Sequence, residues 1–510
     1  MGQTTISERD AMAAIGRLGA LPARDAYHLG LRLWQAGYAE RLLPALRHLA
    51  QQHPAAAQLH QLHGLSARDA MELGEATAAF ARAAALAPAD VLIAHSHARA
   101  ALEAGSPALA LFDRAFRANP SDGDVLLGYV AAQLGEQGAQ AAMTTLGQAI
   151  NGNPLWTDGL AALARLRAQL GLDPIEPIAA ALARFPNEPA LHRLVITTCL
   201  EAHDPSRAAP YAQAACAQFT DPWFTFTAAH IASETGDSPQ AERLFAAAGA
   251  SDAPSALSLR ARHLLRFGRA DEAATLLEPH IARDHRHLLW PYLSLAWRSI
   301  GDPRGHWLEG TPELVGVYDL GARITAIPGL VDHLRSLHFA TAQPLDQSVR
   351  GGTQTDGNLL LRDDPPIRAL RAVLLETVAS HIASLPAAVA DHPTLLPRRQ
   401  PLRIAGSWSV RLTDGGYHTD HIHGRGWFSS ALYLVVPDLE ADGQDTHAGW
   451  LSLGESRDLV PALAPVRLVE PRLGRLVLFP STMWHGTRPF AAGERMTVAF
   501  DIARPLQGTT

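Results

Sequence analysis

Tyr417-His418-Thr419-Asp420-His421-Ile422-His423 places three histidines and an aspartate within seven residues. On a β-strand, residues i and i+2 point to the same side. An H-x-H or H-x-D step therefore aims two side chains at one point. A third ligand from a distant strand completes one face of an octahedron and leaves three positions open, the logic of a mononuclear non-haem iron(II) site. His485, in Trp484-His485, follows about sixty residues later, and Arg495 ten after that. Two registers compete. His418-x-Asp420 is H-x-D and His421-x-His423 is H-x-H. Their parity is opposite, so a regular strand cannot aim both pairs at one metal. Arg495 and Thr497 form an R-x-T step on a later strand. The planar fork of arginine suits a carboxylate gripped at two points, and the threonine hydroxyl adds a hydrogen bond.

The runs around this stretch read as strands. Val410-Arg411-Leu412, Ala431 to Val436, Arg475 to Phe479 and Met496 to Phe500 are short and rich in β-formers, and glycines and prolines separate them. That texture predicts a double-stranded β-helix, or jelly roll, over residues 346–510. A helix precedes it from Ile367 to Leu385, with Leu370, Val373, Leu374, Val378 and Ile382 on one face.

Upstream the texture is different. Gly37, Gly74, Gly105, Gly138, Gly171, Asp204, Gly236, Gly268 and Gly301 interrupt helical patterns, and after the first interval the steps are 31, 33, 33, 33, 32, 32 and 33 residues. Asp204 takes the glycine slot, as a turn-tolerant residue can. Pro88, Pro120 and Pro154 mark the other end of the unit. Val91, Leu92, Ala94, Ala98, Ala101 and Leu102 share a helical face, as do Ala108, Leu111, Phe112 and Ala115. A helix pair every 33 or so residues predicts a tetratricopeptide-like α-helical repeat solenoid over residues 1–305, with a junction over 306–345. The chain is thus expected to be multidomain, α plus β. The array reads as a docking surface for a protein or peptide, with a structural spacer or dimerisation arm as the other reading.

Composition narrows the function. Hydrophobic residues make up 47% of the 510, charged residues 18%, and the net charge is −7. This mild acidity gives no electrostatic case for a nucleic-acid partner. All 43 basic residues are arginine, the codon usage of a GC-rich, bacterial type of genome. Schiff-base and phosphate-loop lysine chemistry is thereby excluded. Cys199 and Cys216 lie far from the histidine cluster and read as small core residues. Met1 to Ile6 lacks the basic start and apolar run of a signal peptide, and the myristoylation pattern wants Ser or Thr where Ile6 sits. No apolar run approaches the length of a membrane span. A cytoplasmic protein without a membrane partner is expected.

Several segments together resemble tetratricopeptide-repeat proteins that carry a 2-oxoglutarate/Fe(II)-dependent dioxygenase domain. They are Gln347 to Thr355, Gly416 to Tyr433 (GYHTDHIHGRGWFSSALY), Gly474 to Thr487 (GRLVLFPSTMWHGT), and Glu494-Arg495 leading into Phe500-Asp501. Trp297 to Asp302 is similar to the family as well. The resemblance favours His421, His423 and His485 as ligands, because Trp427, Phe428, Ser429, Ser430 and Tyr433 follow H-x-H as in the family. Gly424 departs from the proline usual there. Three neutral imidazoles would leave the iron more positive, to be balanced by the 2-oxoglutarate dianion. Asp420 could instead act as an outer partner that fixes a histidine tautomer.

The resemblance implies Fe(II) and 2-oxoglutarate as cofactors, with Arg495, Thr497 and Tyr433 toward the co-substrate. It implies a pocket bordered by Trp427, Ser429, Trp484 and Arg350, molecular oxygen as reactant, and hydroxylation of a protein or peptide docked by the repeats. The loop from Arg350 to Thr355 reads equally as a lid or a surface turn. Two rival readings remain: an adaptor whose repeats do the work, and a cupin-like isomerase or hydrolase in which Arg495 clamps nothing.

Overall fold

The computed structural model describes residues 6–424, 426–437 and 447–505. Met1 to Thr5, on which the reading of the N-terminus partly rests, lie outside the described residues. Among the described residues, nineteen α-helices run from Glu8–Arg17 to Pro303–Glu309 before the first strand. They pair in sequence as a helical solenoid.

Local chemistry sets the helix boundaries. Asp90, Asp122, Asp204, Asp221, Asp237 and Asp302 each accept hydrogen bonds from backbone N–H groups of the first helical turn, groups that lack an intrahelical partner. Pro88, Pro120 and Pro154 each fall two residues beyond a helix end, at Leu86, Ala118 and Gly152. Gly37, Gly105, Gly138, Gly171, Gly236, Gly268 and Gly301 take the left-handed turn conformation that the spacing predicts. Two repeats differ. Met71 and His203 take the left-handed position, while Gly74 lies inside the helix Leu73–Leu86 and Asp204 caps the next helix. The expected apolar face on the helix Val91–Glu103 is also shifted. Ile93, Ala98, Ala100 and Ala101 are buried, whereas Val91 and Leu92 are exposed, so the first turn presents Ile93 to the core.

Among the described residues nine strands follow: β1 (Gly316–Asp319), β2 (Val349–Gln354), β3 (Ile404–His418), β4 (Gly426–Val435), β5 (Leu451–Leu453), β6 (Arg467–Val469), β7 (Arg475–Pro480), β8 (His485–Thr487) and β9 (Arg495–Ala503). They form a six-stranded antiparallel sheet, β1-β7-β4-β9-β3-β2, and a three-stranded one, β6-β5-β8. The stretch 306–345, expected as a junction, supplies β1, which pairs with β7 at the edge of the large sheet.

Alternation along the strands sorts the two faces. Leu432, Leu434, Leu476, Leu478, Met496, Val498, Phe500 and Ile502 pack against Leu370, Leu374, Val378 and Ile382 of the helix Pro365–Ser384. Tyr433, Val477 and Phe479 point the other way and meet Leu451, Leu453 and Val469 of the small sheet. The result is the two-sheet sandwich of a jelly roll, with helices covering one side.

The solenoid grips this sandwich along its length through its inter-helix turns. Arg403 reaches Glu40 at 2.7 Å and the Gly37 carbonyl at 3.0 Å. Asp363 N–H donates to the Ala104 carbonyl, Thr341 and Ala342 to that of Gln169, and Asp346 to that of Glu201, at 2.8–3.0 Å. Arg262 and Arg266 hold Asp458 at 2.8 Å. Arg298 donates to the carbonyls of Gly454 and Ala464. Trp484 and Leu459 complete the apolar core of the last repeats, beside Trp290, Leu293 and Trp297. Cys199 is buried and Cys216 half-buried, both as free thiols. Among the described residues no helix is long and apolar enough to cross a membrane.

Candidate metal and co-substrate site

The histidine cluster sits where the chain leaves β3. His421 forms a two-bond antiparallel bridge with His485, the first residue of β8. His423 N–H then donates to the Ser481 carbonyl at 3.0 Å. These backbone bonds bring the three rings together, with centroids 4.1–5.0 Å apart. One nitrogen from each of His421, His423 and His485 lies within 4.8 Å of the other two.

The outward nitrogens fix the tautomers. His421 Nδ1 lies 2.8 Å from the Thr419 carbonyl, His485 Nδ1 lies 3.0 Å from the Met483 carbonyl, and His423 Nδ1 lies 2.7 Å from Asp501 Oδ1. Carbonyl and carboxylate oxygens can only accept, so each Nδ1 carries a proton and Nε2 is the nitrogen left to ligate. The Nε2 atoms of His421 and His423 then face each other at 3.1 Å. Two lone pairs at that distance repel unless a cation lies between them. Two imidazoles at right angles on one ion, each about 2.1 Å from it, would stand about 3.0 Å apart. Burial, with the neighbouring imidazole adding to it, lowers the His421 pKa to about 3 and that of His485 well below its ordinary value. Both rings are therefore neutral and ready to ligate at physiological pH.

The other register is not assembled. Asp420 turns away from the triad and is held by Arg457, which donates to it from its backbone N–H at 2.7 Å and from its guanidinium at 2.6 and 2.8 Å. His418 stacks on His421 with centroids 6.1 Å apart, and its Nδ1 lies 3.0 Å from Ser348 Oγ. The carboxylate behind the triad is Asp501, not Asp420.

Beside the triad a cavity of about 50 Å³ runs between the two sheets. Trp408, Gln354 and Ser348 line one part, and Phe479, Thr487, Arg495 and Thr497 another. Arg495 is 2% exposed. Its Nε and Nη1 have no hydrogen-bond partner, and neither does the Tyr433 hydroxyl. The guanidinium lies 5.0 Å from the centroid of the Tyr433 ring. Burial lowers the pKa of Arg495, and Tyr433 opposes the shift. A buried guanidinium with two unsatisfied nitrogens is costly, and a carboxylate entering this cavity would satisfy them. The donor set thus fits a metal ion with a carboxylate-bearing co-substrate beside it.

Four expected pocket residues lie elsewhere. Trp427 is in the helix-side core, its Nε1 donating to the Thr394 carbonyl at 2.9 Å. Trp484 faces the repeats, donating to the Pro291 carbonyl at 3.0 Å and packing edge-on against Tyr292. Arg350 folds back onto the carbonyls of Gln347 and Val349. Ser429 sits behind His423 and donates to Asp501 at 2.7 Å. Sequence reasoning gave Asp501 no role, although alternation from Arg495 through Thr497 and Ala499 puts it on the site-facing side of β9. Ser348 and Arg457 carried no comparable signal.

Residues 406–501 match the family model described as "Putative 2OG-Fe(II) oxygenase". The match lies within the C-terminal domain, which follows the helical repeats. No curated protein matches the chain. Among solved structures, a tetratricopeptide repeat protein from Parabacteroides merdae aligns at 14% identity over 48% of this chain and 97% of its own, with a TM-score of 0.29. A Pseudomonas putida prolyl-4-hydroxylase aligns at 15% over 38% and 94%, with a TM-score of 0.28. Yeast Tom70 aligns at 13% over 60% and 67%, with a TM-score of 0.35.

Proposed function

We propose, from the premise that the C-terminal domain is of the 2-oxoglutarate/Fe(II) oxygenase family, that this protein hydroxylates a protein or peptide substrate. His421, His423 and His485 are the metal ligands in this reading. Arg495, aided by Thr497 and Tyr433, grips the far carboxylate of 2-oxoglutarate. The observation that carries it is the pairing of three converging imidazole nitrogens with a buried guanidinium, two of whose nitrogens lack a partner, in one cavity.

Bound Fe(II) with 2-oxoglutarate would supply oxygen activation, coupled to decarboxylation of the co-substrate to succinate and carbon dioxide. The chain's own residues do the rest. The Thr419 and Met483 carbonyls and Asp501 hold the ring protons on Nδ1 and keep the lone pairs aimed inward. Arg495 and Tyr433 orient the co-substrate between the sheets, and Phe479 with Leu451 keeps water from its buried end. Trp408 and Gln354 border the remaining space, where the substrate's C–H would sit. The repeats are fastened to the same domain, so a polypeptide held on their free surface stays near the cavity.

Fe(II)-dependent formation of succinate from 2-oxoglutarate tests the reading. Turnover is expected in the wild type and absent in His485→Ala. A protein that binds iron yet yields no succinate would favour the adaptor reading.

A further inference from the structure

Three imidazole ligands carry no negative charge to offset that of a bound dication. A centre with a carboxylate ligand has that charge on the metal itself. In this chain the nearest carboxylate stands one bond further back. Asp501 Oδ1 lies 2.7 Å from His423 Nδ1, whereas the Nδ1 atoms of His421 and His485 face peptide carbonyls. Asp501 is 8% exposed. The same oxygen accepts the Ser429 hydroxyl at 2.7 Å, and Ser429 Oγ lies 2.8 Å from Ser481 Oγ. The backbone closes over this group at Gly426, where a Cβ would come within 2.2 Å of Ser481 Oγ and 3.3 Å of Asp501 Cβ. The neighbouring acids are committed elsewhere: Asp420 to Arg457, and Glu455 to Ser452 and Arg488.

We infer that Asp501 is the anion of the metal centre, acting through His423 instead of on the metal. This rests on the triad being a metal site. A carboxylate that accepts the Nδ1 proton raises the donor strength of Nε2 and fixes the ring's orientation. The three ligands are then unequal, with His423 the strongest donor. Asp501 is a positioning residue: it touches neither metal nor substrate, and its charge reaches the ion through one imidazole. The serine pair holds its carboxylate in line with the ring.

The test is Co(II) titration of the metal-free full chain, followed by visible absorption and by competition with a chelator. Asp501→Asn keeps the shape and a carbonyl acceptor but removes the charge. It is expected to weaken Co(II) binding roughly 10–100-fold and to shift the cobalt absorption bands. It should also raise the Fe(III)/Fe(II) potential, because the oxidised ion loses the most from a missing anion. Asp420→Asn, which disturbs a carboxylate of the same neighbourhood, is expected to leave cobalt affinity and spectrum unchanged. Circular dichroism confirms that each variant is folded. Wild-type affinity and an unchanged spectrum in Asp501→Asn would overturn the inference alone. A wild type that takes up no Co(II) would overturn the metal-centre reading and the inference with it.

Discussion

His421 and His485 are joined by two main-chain hydrogen bonds, each N–H donating to the other's carbonyl at 2.9 Å, with their rings 4.1 Å apart. A β-bridge between residues 64 positions apart thus sets the proposed ligand pair by backbone bonds alone. Metal bound there clips the end of β3 to β8 and should stabilise the fold. At a free metal concentration a hundred times Kd the gain is about 2.7 kcal/mol, read as a rise in Tm. His421→Ala and His485→Ala should remain folded without metal and show no such rise.

The two registers separate cleanly by mutation. Asp420→Asn removes the charge that holds Arg457, a partly exposed pair with a buried carboxylate, at a cost of about 1–3 kcal/mol in urea unfolding. Metal affinity should persist. His423→Ala should abolish it. The opposite pattern would restore His418 and Asp420 as ligands.

Arg495 has a signature of its own. Its replacement by Ala should weaken 2-oxoglutarate binding by about 2–5 kcal/mol, roughly thirty-fold or more, and leave metal affinity intact. Arg495→Lys should recover part of the loss, since a point charge cannot make the two-point grip. Equal co-substrate affinity in Arg495→Ala would favour an isomerase or hydrolase that uses no dicarboxylate. Co-substrate titration of the metal-loaded protein measures both.

Glu309, 4% exposed at the end of the repeats, offers a pH test. Burial raises its carboxyl to about 7, against the lowering pull of Ser294 and of Arg298, whose guanidinium lies 3.7 Å away. The folded protein therefore holds a proton that the unfolded chain releases near its ordinary value. Stability from this group is full at low pH and falls as pH rises from about 4.5 to 7, by about 3 kcal/mol at most. Glu309→Gln should flatten the fall in Tm between pH 5 and 8. An unchanged slope would mean that the carboxylate is solvated.

Much of this architecture was legible in the chain, for physical reasons. The 33-residue period and the alternation of the late strands are local patterns, and local patterns predicted helix pairs followed by a sandwich. The convergence of His421, His423 and His485 followed from H-x-H parity together with the family resemblance. What escaped depends on partners far along the chain. Trp484 bonds a carbonyl 193 residues away, so its orientation toward the repeats left no trace around position 484. Trp427 likewise answers to Thr394. Asp501 was within reach, because it shares the parity of Arg495 and Thr497 on β9. Met71 and His203 show the limit of glycine as a marker: any residue can take a left-handed turn when neighbouring hydrogen bonds hold it there.

The clasp between the solenoid turns and the sandwich carries an evolutionary consequence. Free-standing arrays can gain or lose a unit, since each unit touches only its neighbours. Here Glu40 near one end holds Arg403, and Arg262 and Arg266 near the other hold Asp458. Duplicating or deleting a single helix pair would pull every later turn out of step with its anchor. The number of repeats is therefore set by the width of the domain they embrace, and descendants of this chain should vary in residues but not in repeat count.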